Sequence, residues 1–420
     1  MTSPTSSSAP VSRARLAILL GGLAMFGPFS IDTVFPAFPA MAAQLAVDKV
    51  AMQQVISVYL LTYALMSLVH GPLSDAFGRR KVILGGLFVF LLASIGCALS
   101  MTMTQLLLFR ALQGLSAGVG FIVGRAVIRD LYDGDDAQRL MSQVSMIFGI
   151  APAIAPIIGG WILGWSAWPV IFWFLAGFSL LLLVSVSIWL PETHAAGARS
   201  QPSPRQLLRD YWGIARNPRF LRLAAAGSLS FGGIFLYIAS APAFVMDLLH
   251  LNEQQFAWLF LPTIGGMTLG AFLSGRAAGR ISGTALTRIG FACMGAAAIG
   301  NVTYNLLSPQ LGLPWAVLPM CVAALGVAMI FPILTLAILD MYPRQRGAAS
   351  SLQAFSNLMV NALIAGLLSP LLSFAGLPLA LGAAAFALAG WLFWRWEMHV
   401  SHRRPRLPAE PAAMEPTNQI

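Results

Sequence analysis

Charge is what this sequence has least of. Only 10% of its 420 residues are Asp, Glu, Lys or Arg and 58% are hydrophobic, whereas a soluble domain carries about 25% charged residues. Such a chain cannot cover a water-facing surface, so most of its surface must face lipid. Cysteine is scarce as well. Cys97, Cys293 and Cys321 all fall in apolar segments without metal-ligand spacing, which argues against a disulfide framework and leaves them as core filler. The histidines His70, His194, His250, His399 and His402 form no HExxH string and no paired spacing inside an apolar segment. No Walker A string is present, and nothing resembles a selectivity filter. A membrane-embedded enzyme, the rival class, therefore lacks a metal cluster or a nucleophile–base constellation. ATP-driven transport and a channel lack their signatures too. The net charge of +10 would point to nucleic acid in a soluble domain, but in a lipid-facing chain a basic membrane face explains it better.

Long apolar runs are what the sequence has instead. A hydrocarbon core of roughly 30 Å needs about 20 helical residues. That ruler finds twelve candidate spans, at approximately 16–40, 50–71, 82–101, 104–129, 140–164, 168–190, 220–246, 254–274, 286–308, 313–339, 347–371 and 375–395. The first run follows Arg13 and Arg15 as a signal peptide would. It is too long for one, contains Asp32 and three prolines, and precedes eleven further spans, so it reads as an uncleaved helix. With the N-terminus inside, nearly every Arg falls on the cytoplasmic side, whereas the outer loops hold only Lys49. That bias predicts both termini cytoplasmic and accounts for the basic balance without nucleic acid. The expected organisation is a polar tail (1–15), a six-helix bundle (16–190), a cytoplasmic linker (191–219), a second six-helix bundle (220–395) and a polar tail (396–420).

The two halves echo each other. RDLYDGDDAQRLMS at 129–142 pairs with LDMYPRQRGAASS at 339–351, matching Asp130 and Tyr132 to Asp340 and Tyr342. GPLSDAFGRRK at 71–81 has a degraded echo in GAFLSGRAAGR at 270–280, and PAF recurs at 36–38 and 242–244. Parallel six-span repeats are the plan of one large transporter fold. In GPLSDAFGRRK, Gly71 and Gly78 permit backbone conformations and close approach that a Cβ hinders. Asp75 is an acceptor suited to bracing a neighbouring helix, and Arg79, Arg80 and Lys81 anchor the turn at the basic face. The whole string resembles the signature loop of the major facilitator superfamily.

The closer resemblance is to the Bcr/CflA drug-resistance branch of that superfamily. SIDTVFPAFPAM (30–41), RALQG (110–114), APAIAPIIGGW (151–161), WPVIFW (168–173), PET (191–193), SFGGIFLYIASAPAFV (230–245) and ILDMYPRQRGAASSL (338–352) carry it. The resemblance implies an all-α polytopic membrane protein with the major facilitator fold, in which 12 transmembrane helices form two six-helix bundles. It implies alternating access and proton-coupled export of small drug-like molecules. It also implies a monomer in the bacterial inner membrane that needs no cofactor beyond the proton gradient. The helix-five motif maps to Pro152, Pro156, Gly159 and Gly160. It departs from the general antiporter pattern at Ala151 and Ala155, where glycine is common, although alanine is still small enough for close packing.

Asp32 is the one charge in the first apolar run, and intramembrane ionisable groups are rare and usually functional. On a continuous helix it shares a face with Met25, Phe29, Phe35 and Pro36. Arg110 of the fourth span should lie at similar depth, since each is about six residues, roughly 9 Å, from the outer end. Asp32 is thus the candidate proton or substrate site and Arg110 its tuning partner, burial and a nearby guanidinium acting on a carboxyl in opposite directions. A static buried salt bridge is the structural alternative. One acid in the helix cores predicts about one proton per cycle. Arg125 would pair with Asp75 or snorkel, and His70 reads as an interfacial residue or a titrating one. Candidate cavity-lining residues are Met25, Phe29, Phe35, Tyr59, Tyr63, Gln113, Phe231, Phe235 and the span-eleven stripe Gln353, Asn357, Asn361. Asn301 and Asn305 repeat the stripe pattern on span nine, and such stripes serve equally as interhelical hydrogen bonds. An apolar cavity with one acid suits lipophilic neutral or monocationic compounds. The alternative within transporters is an exporter of a metabolite such as an amino acid.

Overall fold

In lipid a backbone amide has no water to bond, so each apolar run must close its own hydrogen bonds as a helix. The protein, seen here as a computed structural model, is described over residues 13–194, 203–277, 279–308 and 310–402. The outer parts of both polar tails and residues 195–202 of the linker lie outside the described residues. Twelve helices are long and apolar enough to cross a membrane. They are Arg13–Leu45, Lys49–Ser67, Arg79–Ala98, Met103–Leu131, Asp136–Trp165 and Pro169–Trp189 in the first half. The second half holds Pro218–Ala239, Ala257–Ala277, Gly283–Leu307, Leu318–Met341, Arg346–Leu372 and Gly376–Ser401. All twelve expected spans are present, in the expected order.

Polar residues at the ends set the helix starts. Asp48, Thr102, Ser203, Ser282 and Asn217 each accept a hydrogen bond from an N–H of the first turn they precede. Three features depart from the sequence reading. The signature string is not a tight turn but a short helix, His70–Phe77, ending at Gly78. The linker carries a helix of its own, Pro204–Ala215. The first span is broken: its helix ends at Asp32, a 3-10 turn covers Phe35–Ala37, and a new helix runs Phe38–Leu45. Pro36 has no N–H for the Asp32 carbonyl, and the chain tightens instead through Val34 N–H to the Ile31 carbonyl at 3.3 Å.

Contacts between helix ends define two faces. At one, here called the basic face, Arg13 pairs with Asp136 at 2.6 Å, tying the starts of spans one and five. Arg79 of span three meets Asp130 at the end of span four. Tyr211 of the linker helix donates to the Leu68 carbonyl at 2.6 Å. Tyr132 and Tyr342, matched by the sequence echo, occupy matching places. Tyr132 lies under Arg13 at the start of span one, and Tyr342 accepts from Asn217, which caps the start of span seven, at 2.7 Å. At the far face Lys49 pairs with Asp247 across the two halves at 2.5 Å.

The apolar core follows the same division. One cluster runs through the first half and continues into Phe235, Phe244, Phe256 and Phe260 of the second, so the halves are joined toward the far face. Toward the basic face the second half has a core of its own around Phe220, Leu223, Phe291 and Trp394, which among the described first-half residues only Leu68 joins. Within that core Glu397 is 1% exposed. It accepts from Arg222 at 2.8 Å and from Ser401 at 2.7 Å, and pairs with Arg219 at 3.0 Å. Removing one partner of a buried pair strands the other charge, at about 3–5 kcal/mol. Glu397→Ala is therefore expected to lower the Tm of the detergent-solubilised protein well below that of Glu397→Gln, which keeps two acceptor–donor contacts.

Candidate functional site: a buried arginine beside the broken first span

Arg110 is fully buried on span four, and its partners are all neutral. Nη1 donates to the Ser30 carbonyl and to Gln113 Oε1, both at 2.8 Å, and Nε donates to the Val55 carbonyl at 3.0 Å. The guanidinium carbon lies 4.4 Å from the Tyr59 ring centroid, a cation–π contact. Gln113 is held in turn by its donation to Ser94 Oγ at 2.8 Å, with Cys97 Sγ at 3.7 Å from its oxygen. Tyr59 and Ser30 share a 2.5 Å hydroxyl–hydroxyl hydrogen bond. The Ser30 carbonyl is among the last of the first helix and lies where the break leaves carbonyls without helical partners. A cation belongs there, at the negative end of the helix dipole.

Asp32 closes that same helix and is 4% exposed. Among the described residues no hydrogen bond or ion pair reaches its carboxylate, and no ion pair joins it to Arg110. Tyr59 sits within electrostatic reach of both. The static salt bridge is thus not present in this state. Arg110 in turn has one nitrogen, Nη2, buried without a partner.

The helix break also redistributes the expected cavity face. Phe29 stacks on Phe174 and Phe178 of span six, at 6.3 and 5.5 Å. Phe35 lies between Phe38 and Phe260 at 5.7 and 6.5 Å, in the far-face closure. Extrapolating one helical face from Met25 to Phe35 fails because the helix stops at Asp32. Met25 is half-buried. Tyr63 lies edge-on to Tyr59 at 6.3 Å. Phe231 and Phe235 stack at 6.1 Å on span seven. On the span-eleven stripe Gln353 donates to Thr335 at 2.9 Å, but Asn357 and Asn361 each keep a buried side-chain oxygen without a partner. Asn301 donates to Tyr237 at 2.8 Å and Asn305 to the Asn301 carbonyl at 2.8 Å, so the span-nine pair serves as internal hydrogen bonding.

The signature string builds a separate cluster at the basic face. Arg79 meets Asp75, Asp130 at 3.0 Å and Ser74 at 2.7 Å. Its backbone N–H donates to Glu192 of the PET string at 2.8 Å, a partner the sequence did not suggest. Arg80 donates to the Ser187 carbonyl at 2.5 Å. Gly78 has φ of +100°, where an L side chain is strained. Gly71 corrects the reading of close approach, since a Cβ there would meet nothing within 4 Å. Arg125 does not pair with Asp75; its guanidinium lies 4.0 Å over Phe121. His70 is buried at 3% exposure against span four rather than lying among headgroups.

The sequence profile of the Major Facilitator Superfamily matches residues 18–363. The chain belongs to that superfamily. It is 30% identical over 80% of its length to the multidrug resistance protein D of Escherichia coli, covering 84% of that protein. To the bicyclomycin resistance protein homolog of Haemophilus influenzae it is 27% identical over 84% of its length, covering 88% of that protein. These are relatives of the Bcr/CflA branch. A bacterial homologue of the human lysosomal transporter Spinster, solved in an inward-facing and unoccupied conformation, superposes with a TM-score of 0.68. The identity is 17%, with 94% of this chain and 98% of that one covered. This superfamily chain is a multi-pass transporter, not an enzyme. Among the described residues no cluster of His, Cys, Asp or Glu is suited to a metal.

In this major facilitator chain the helix-five motif packs span five against span one through Gly159 and against the second half through Gly160. Pro152 and Pro156 lie inside an unbroken helix, Gly134–Trp165. A Cβ at Gly159 would sit 2.1 Å from the Thr33 carbonyl, next to Asp32, and one at Gly160 would sit 2.2 Å from the Glu253 carbonyl of the second half. Gly160→Val is therefore expected to part the halves at the far face. Ala37→Cys, buried in the parent, should then react with a membrane-impermeant maleimide about tenfold faster, equivalent to about 1.4 kcal/mol removed from the closed state. Gly149→Val, where a Cβ meets nothing within 4 Å, should leave the rate unchanged. Arg110→Met is expected to destabilise the protein by about 2–4 kcal/mol, leaving buried acceptors unpaired. Arg110→Lys should recover only part of that, since one ammonium cannot serve the Ser30 and Val55 carbonyls and stack on Tyr59. Tm in detergent reads both.

Proposed function

We propose that this chain is a secondary active multidrug exporter of the bacterial inner membrane. It works as a monomer by drug/proton antiport and alternating access, with both termini cytoplasmic and the basic face inside. The names of the relatives, multidrug resistance protein D and bicyclomycin resistance protein homolog, support the substrate class. The observation that carries the coupling reading is Asp32: a buried carboxyl at the end of a broken helix, with no ion pair among the described residues. A carboxyl so placed is best accommodated neutral, and a protonated Asp32 is the form that fits the state described here. Arg110 acts as tuning partner through its unpartnered Nη2. When Asp32 loses its proton in another state, this guanidinium is the buried positive charge of the same region, and drawing it off the Ser30 carbonyl would loosen the span-one break. The free amide oxygens of Asn357 and Asn361, with Phe231 and Phe235, supply the second half's share of a lipophilic cavity.

Substrate-induced proton release in inside-out vesicles energised by respiration tests this reading, with a panel of antibiotics and amino acids. Some lipophilic monocation or neutral drug is expected to dissipate the pH gradient with the parent protein and not with Asp32→Asn. Equal transport by the mutant, or transport that persists after the gradient is collapsed, would overturn it. Alternating access has its own check. Cysteines at Lys49→Cys and Asp247→Cys, bridged by a short bis-methanethiosulfonate that joins each thiol through a disulfide, should stop transport, and reduction of those disulfides should restore it.

A further inference from the structure

The linker helix Pro204–Ala215 is not accounted for by any step of transport. Its sequence, PRQLLRDYWGIA, puts two different surfaces on one short helix. On one side Tyr211 donates to the Leu68 carbonyl of the first half at 2.6 Å. Asp210 accepts from Gln345 of the second half at 3.0 Å, and Ile214 is 1% exposed in the second-half core. This docked side touches both halves, at the end of span two and the start of span eleven. The opposite side presents Leu208 at 70% exposure and Trp212 at 58%. By the 100° helical step these two are flanked by Arg205, Arg209 and Arg216. Arg216 stacks on Trp212 at 4.4 Å, and among the described residues none of the three arginines has an acidic partner.

We propose that this outward side is a docking surface for anionic phospholipid headgroups of the leaflet at the basic face. An exposed Leu and Trp bordered by arginines is the pattern of a helix lying in the membrane interface, with its apolar side chains at the acyl boundary and its guanidinium groups among phosphates. Position agrees with composition. The helix is fastened to the end of span two and followed within a few residues by the start of span seven at Pro218, so it lies at headgroup depth rather than out in water. Arginine forks bind phosphate bidentately, and the three unpaired charges supply the complement to an anionic lipid. Because the other side grips both halves, headgroup binding holds the helix at the hinge between them, and the lipid charge of the leaflet bears on how readily the basic ends part. The naming of that leaflet as cytoplasmic rests on the orientation proposed above; the lipid contact itself does not.

The full-length protein is reconstituted in nanodiscs of phosphatidylcholine alone, or with phosphatidylglycerol added in steps. A fluorophore is placed through Leu208→Cys in a Cys293→Ala/Cys321→Ala background. Depth is read by lipid-borne quenchers against a water-soluble quencher, which requires no transport substrate. The label is expected to be quenched from the lipid side, with quenching that rises as phosphatidylglycerol is added. Arg205→Gln/Arg209→Gln/Arg216→Gln should raise the phosphatidylglycerol needed for half the effect by roughly fivefold per arginine removed, and the corresponding triple lysine variant should restore most of it. Two results would overturn the proposal. One is a label open to the aqueous quencher and indifferent to lipid charge. The other is a label shielded from both quenchers, which would mean that protein covers this face.

Discussion

A guanidinium sealed inside a helix bundle in lipid must find its acceptors within the protein, and Arg110 finds them in backbone carbonyls. The Ser30 carbonyl is near the end of the helix that stops at Asp32, and the Val55 carbonyl belongs to span two. One cation therefore ties three spans together at the depth of the only charge in the first apolar run. Gln113, Ser94 and Cys97 hold the arginine from behind. Tyr59 lies beneath it and bonds Ser30 from the other side. The break in span one, the burial of Asp32 and the seat of Phe35 in the far-face closure all follow from that fixed point and from Pro36, which gives the Asp32 carbonyl no amide to accept from.

Much of the fold was legible because membrane helices are constrained so tightly. Apolar length alone located twelve spans, and the paired strings around Tyr132 and Tyr342 anticipated equivalent positions against the starts of spans one and seven. The neighbourhood was more legible than the contacts. Asp32 and Arg110 lie in one region, as their depth along the spans suggested, and Tyr59 and Gln113 pack against that arginine. What periodicity could not supply was the end of the helix. A 3.6-residue repeat carried past Asp32 does not follow the chain into the 3-10 turn that seats Phe35 between Phe38 and Phe260, and the prolines that gave warning of a break do not say where the chain turns next. Partners distant in sequence were equally hidden. Nothing local marks Glu192 as the acceptor for the Arg79 amide, or Lys49 as the mate of Asp247. Such pairs are set by how helices lie beside one another, which a single sequence does not encode in any local pattern.

Two kinds of adhesive hold the halves, and they differ in chemistry. At the basic face the linker helix adds an intermediary, with polar contacts from Tyr211 and Asp210 to the two halves. At the far face they are direct: aromatic rings, one exposed ion pair, Gly160 pressed against the Glu253 carbonyl, and the donations of Gln54 and Ser57 to the Gly366 and Ala362 carbonyls. The first kind can yield by a shift of a single helix; the second requires the bundles themselves to separate.

The close approach of Gly160 to the Glu253 carbonyl has a consequence for leak. A carrier must make and break its outer seal once per turnover, and a seal of hydrogen-bonded side chains would have to be stripped of water and rehydrated each time. Backbone laid against backbone at van der Waals distance has almost nothing to rehydrate. Where Gly160 meets Glu253 the closure can then fit by shape while remaining weak in adhesion, and the donations of Gln54 and Ser57 to the Gly366 and Ala362 carbonyls are the part that must be remade each time. A seal of that sort would also be nearly blind to ionic strength, leaving the exposed pair of Lys49 and Asp247 as the part of the gate that salt can reach.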